Sequence, residues 1–165
     1  MLDGFFTNIL TSLFGRASDK RERKQQARAL SNLLRLELDF NTALIDTLRM
    51  EGAGQWTAGG AAVARSLQAD VLNMVFLPEE ANRMLRHSLA GLPMPAPADE
   101  GEAEAVVGDA LRSLWVRVRA VQALGNLGTL PDGMKDIRLL QRLRNLRDTM
   151  RLVVGAMKAD EARDD

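Results

Sequence analysis

Apolar residues recur along this chain at steps of three and four, and each recurrence predicts an amphipathic helix. The cleanest run is Leu139, Leu143, Leu146, Met150, Val153 and Met157, spaced 4-3-4-3-4. Val107, Leu111, Leu114, Val118 and Val121 repeat at 4-3-4-3 and predict a helix over about 102–124. That heptad runs through Trp115-Val-Arg-Val-Arg, where local alternation alone would suit a strand. Between 16 and 50 two stripes lie side by side: Leu34, Leu38, Asn41, Ile45 and Leu48, and Leu30, Leu33, Glu37, Phe40 and Leu44. Paired stripes give a helix neighbours on both sides, as in a bundle. Val63, Leu67, Val71, Met74 and Val75 predict a further helix over about 61–77. Pro78 kinks it or opens a new helix, with Glu79 and Glu80 suited to a first turn and an end near 89–91.

Breakers separate these runs. Residues 51–60 are Gly-rich, and Pro93, Pro95 and Pro97 make 91–101 an extended, solvated linker. Gly125, Gly128 and Pro131-Asp132-Gly133 mark a turn, and the acidic tail 159–165 is expected to fray. The expected fold is therefore all-α: a four-helix bundle of long amphipathic helices, the third kinked or split at Pro78. A short amphipathic helix over 1–15 precedes the bundle at 16–158.

That opening segment changes the functional picture most. Leu2, Phe5, Phe6, Ile9, Leu10, Leu13 and Phe14 share one helical face, and Asp3, Thr7, Asn8, Thr11 and Ser12 lie opposite, with Gly15 as a stop. Arg16, Lys20, Arg21, Arg23 and Lys24 follow directly. An apolar face with a basic run behind it is a two-signal membrane contact. Burying seven such side chains at a half-wet interface contributes roughly 5–10 kcal/mol before ordering costs, which suits reversible binding. The same face also suits docking on its own bundle, on a homodimer mate or on a partner protein. Asp3 and a polar face of Thr, Ser and Asn weigh against strong lipid binding. Asp3 and the polar interruptions also argue against a signal peptide.

Composition narrows the rest. Hydrophobic residues make up 46% of 165 but aromatics only 4%, so the core must be aliphatic, as long helices allow. The absence of Cys removes disulfides, thiolate metal sites and a cysteine nucleophile. Lys plus Arg and Asp plus Glu each total 22, so bulk attraction to nucleic acid is missing. Arg144, Arg147 and Arg151 share a helical face. Without stacking aromatics or a reading motif, such runs read as solvated faces with i, i+4 partners. The 18 Arg against 4 Lys suggest a GC-rich, bacterial source.

Candidate chemistry is sparse. His87, the lone histidine, has Met84 where a di-iron bundle would place its Glu. Gly52 to Gly60 lacks the Gly-Lys-Ser/Thr ending and the preceding strand of a phosphate loop. Glu37 and Asn41 fall on core stripes and, with Asp70 and Asn73, predict a buried polar layer whose role is register. The expectation is a non-enzymatic interaction protein, cytoplasmic and peripheral at most to a membrane. It works through self-association or a protein partner, and no metal, cofactor, nucleic acid or small-molecule substrate is expected. The alternative is a soluble adaptor or structural subunit with its first helix packed permanently. An enzyme built on Glu37, Asp70 and His87 is the remaining option.

Overall fold

The computed structural model describes residues 20–48, 56–94, 105–127 and 136–164. The expected helix over 2–14, its residues through Phe14 and the basic Arg16 lie outside that set. The described residues form an all-α fold of six helices. They are α1 (Lys20–Asp46), α2 (Trp56–Ser66), α3 (Asp70–Val75), α4 (Glu80–Ala90), α5 (Val107–Asn126) and α6 (Asp136–Asp164). No strand occurs among them. The one β-type contact is an isolated bridge between Pro93 and Val106.

Packing follows the predicted stripes. Leu30, Leu33, Leu34, Glu37, Leu38, Asn41 and Ile45 of α1 are buried, and α1 packs on α6 on one side and on α3 and α4 on the other. Val107, Leu111, Leu114, Val118 and Val121 of α5 are buried against α2 and α6, so the Trp115 stretch is helical. All six residues of the α6 heptad are at most 2% exposed. The core is aliphatic, built from Leu, Val, Ala and Met.

Two glycines allow close approaches. A Cβ at Gly125 would stand 2.9 Å from the Ala61 carbonyl oxygen and 2.9 Å from the Ala64 Cβ, so α2 and α5 touch backbone to backbone. A Cβ at Gly108 would meet the Ala90 Cα at 2.9 Å, which brings the end of α4 onto the start of α5.

Several expected boundaries move. α1 ends at Asp46 rather than Met50. Pro78 does separate two helices, but α4 is capped at Glu79 and begins at Glu80, so Pro78 precedes the cap and is not the first helical residue. Residues 159–164 continue α6 instead of fraying, and Glu161 pairs with Arg35 of α1. The flanks of the Pro-rich linker are pinned: Met94 N–H donates to the Ala105 carbonyl at 2.9 Å, and Val107 N–H to the Leu92 carbonyl at 2.9 Å. Trp56, expected in a loop, opens α2.

The largest departure is a second interruption, between Ser66 and Asp70. Nothing in Leu67-Gln68-Ala69 opposes helix, for it has neither Gly nor Pro. Its cause is tertiary.

Candidate functional site: a buried carboxyl at a helix break and an open groove

Glu37 and Asn41 stand one helical turn apart on α1 and are 0% and 1% exposed. A carboxylate buried without donors costs several kcal/mol, so this face of α1 demands N–H groups from whatever packs on it. An unbroken helix has none to offer, because each interior N–H is bonded to the carbonyl four residues back. Interrupting the helix at 67–69 releases them. Val71 N–H donates to Glu37 Oε2 at 2.7 Å, and Leu72 N–H to Oε1 at 2.9 Å. Gln68 N–H donates to Asn41 Oδ1 at 2.8 Å, and Asn41 Nδ2 returns a bond to the Gln68 carbonyl at 2.7 Å. Glu37 thus serves α3 as an N-terminal cap supplied by another helix.

The opposite side of the break is closed by α5. Gln122 Nε2 donates to the Leu67 carbonyl at 2.7 Å. Asn73 Oδ1 accepts from Trp115 Nε1 at 2.7 Å and from Arg119 Nη2 at 3.0 Å. A polar cleft of about 320 Å³ runs alongside, lined by Arg65, Gln68, Asp70, Asn73, Arg119 and Gln122 with Leu67 and Ala69.

Burial pushes the Glu37 carboxyl up to about 7; the Val71 and Leu72 amides pull it down by less, and nearby Asp70 adds to the rise. The predicted polar layer is therefore present in part. Glu37 and Asn41 form its buried half, while Asp70 and Asn73 are only half-buried and face the cleft. Its spacing was readable in α1, but its role in bridging a break was not.

His87 lies elsewhere. It is exposed on α4, in the wall of an open groove of about 680 Å³ between α4, the start of α5 and the end of α3. Val75, Phe76, Met84, Leu89, Val106 and Leu111 make the groove largely apolar. Arg83 pairs with Glu80, Arg112 stands 3.8 Å from Asp109, and Arg86 donates to the Val75 and Leu77 carbonyls at the end of α3. Phe76 also packs on Trp115, ring centroids 5.4 Å apart. Glu37, Asp70 and His87 are not assembled into one site: Glu37 is sealed between α1 and α3, and His87 faces solvent. Among the described residues no group of three His, Asp or Glu is placed to hold a metal ion.

Of the basic residues behind the N-terminal segment, Lys20, Arg21 and Lys24 are exposed and Arg23 half-buried in the first turns of α1. Arg147 and Arg151 of α6 share Asp46 of α1, at 3.4 and 2.6 Å, so the partner of this face lies across the helix interface and not at the expected i, i+4 spacing. Among the described residues no helix is long and apolar enough to cross a membrane. No protein-family model, no curated protein and no solved structure matches this chain.

Proposed function

We propose that this is a non-enzymatic helical protein that works through contacts, with residues 2–14 as a switchable apolar element. In one state the segment is sheltered in the groove between α4 and α5. In the other it engages a membrane surface or a second subunit. In this reading α2, α3 and α4 together act as one member of a four-helix bundle with α1, α5 and α6.

The observation that carries the proposal is where the groove lies. Glu37 meets Val71 and Leu72, whereas Asn41 meets Gln68, so α1 runs antiparallel to the 67–72 stretch. Leu67 meets Gln122 and Asn73 meets Trp115, so α5 is antiparallel to it as well. The start of α1, the end of α3 and the start of α5 therefore share one end of the molecule, and the groove is at that end. Lys20, the first described residue, stands at that end, so in this reading the segment enters the fold beside the groove. A helix over 2–14 would be about 20 Å long, against about 16 Å for α4, and residues 15–19 reach up to about 17 Å.

The antiparallel ion pairs Arg35–Glu161 and Asp39–Lys158 level the end of α6 with about residue 32 of α1. The first three turns of α1 thus project past α6 and carry Lys20, Arg21, Lys24 and Arg28 exposed. Such a basic projection next to an apolar segment suits an anionic surface.

Co-sedimentation with anionic phospholipid vesicles tests the membrane arm. The full chain should pellet, and a chain lacking residues 1–15 should stay in solution; equal pelleting removes this arm. The alternative is a soluble adaptor or structural subunit, its segment packed for good on the bundle or on a homodimer mate. It predicts no pelleting by either chain and an oligomer whose mass, by light scattering after size exclusion, collapses on deletion.

A further inference from the structure

We propose that the outward face of α5 docks a second copy of this chain, the two α5 helices packing antiparallel about a two-fold axis level with the Val121–Gln122 peptide. The inference rests neither on residues 2–14 nor on the groove.

α5 carries two apolar seams. The inward one is spent on α2 and α6. On the opposite side Val116, Ala120, Ala123 and Leu127 repeat at 4-3-4 spacing, and all four are exposed, Val116 at 57% and Leu127 at 58%. Leu127 is the cap residue and keeps helical dihedrals, φ −70° and ψ −13°, so it stays in register with the row. A 4-3-4 row is the pattern of a helix-pairing seam. The outward positions of α6 are by contrast polar: Gln141, Arg142, Asn145, Asp148 and Arg151. Single exposed apolar residues are ordinary, whereas a contiguous row marks a contact surface.

The order of sizes selects the occupant. A two-fold interface must be complementary to itself. About the proposed axis Val116 of one copy meets Leu127 of the other, and Ala120 meets Ala123. Large side chains face each other at both ends, and small ones at the centre let the helices approach closely.

Charge selects the direction. Arg117 and Arg119 border the row on its two sides. In the antiparallel pair Arg117 lies beside Leu124 of the other copy and Arg119 beside Asn126, so neither meets a like charge. Arg119 is also drawn aside by Asn73 Oδ1, at 3.0 Å. A parallel pair would set Arg112 against Arg117 of the other copy, and like charges at such flanking positions disfavour pairing. A row about 16 Å long falls at the small, reversible end of protein interfaces.

Sedimentation equilibrium of the full chain tests this. The mean mass should climb from one toward two chain masses as concentration rises from roughly 5 to 500 µM. Ala120→Glu and Ala123→Lys, both at exposed positions, each place like charges on either side of the axis. Each should weaken self-association by about tenfold or more. Mixed in equal amounts, the two variants set the new carboxylate against the new ammonium, and the mixture should regain the dimer. A natural chain that keeps one chain mass throughout overturns the proposal and leaves this face to an unlike partner. A dimer that survives either substitution also overturns it, as does one lost in both variants and not regained on mixing. If either variant fails to fold, crosslinking decides, because the chain has no Cys. Val116→Cys and Leu127→Cys, oxidised together, should link to one another and not to themselves. No mixed product, or self-linked products in equal yield, refutes the antiparallel pairing.

Discussion

The two sides of α1 solve the packing problem differently. Toward α6 the contact is a dry aliphatic seam, with Leu139, Leu143, Leu146, Met150, Val153 and Met157 of α6 buried and ionic pairs kept to the rim. Toward α3 the same helix buries a carboxyl and a carboxamide, and its neighbour breaks to supply their partners. The first contact depends on area and shape alone and leaves both helices continuous, at 27 and 29 residues. The second buries a titratable carboxyl and divides its neighbour into segments of 11 and 6 residues. An apolar seam leaves its helices whole, whereas a buried ionisable group takes backbone partners from its neighbour and leaves a joint there.

Substitutions on the two sides should behave accordingly. The largest loss is expected from the dry seam: Leu143→Ala removes a fully buried side chain and should cost about 2–5 kcal/mol in urea unfolding, equally at pH 5 and pH 8. A loss that changes with pH would erase the contrast. Next in size is the response of the joint. Glu37 has a folded value raised above its unfolded one, so its contribution is fully present below about 4.5 and is lost as pH climbs to about 7. The natural chain should therefore gain up to about 3 kcal/mol relative to Glu37→Gln between pH 8 and pH 4.5. Parallel pH profiles of the two unfolding midpoints would contradict the assignment.

Glycines sharpen the comparison at smaller scale. Gly125→Ala places a methyl against the Ala61 and Arg65 backbone and should cost about 1–3 kcal/mol by thermal melting. Gly155→Ala, on the exposed face of α6 with nothing within 4 Å, should instead stabilise by up to about 1 kcal/mol through helix propensity.

The heptads of α5 and α6 were legible from spacing because a continuous helix buries one stripe wherever its neighbour stands. Leu143 and Val118 needed no knowledge of a partner to be placed in the core. Glu37 and Asn41 could be read as core positions on the same grounds, since their place in the stripe is a property of α1 alone. The interruption at 67–69 was not legible, because Leu67, Gln68 and Ala69 are ordinary helix formers. The groove was likewise hidden, since it joins residues from the end of α3, from α4 and from the start of α5 that no local pattern links.

By itself the sequence determined the helical class, the aliphatic core and the faces each long helix buries, because periodicity and composition act within one element. Only the tertiary structure decided where the third helix breaks, which backbone amides receive Glu37 and which surface stays open. Those outcomes depend on satisfying buried polar groups across elements. A polar side chain on one helix dictated the backbone path of another, and that requirement exists only once the two are in contact.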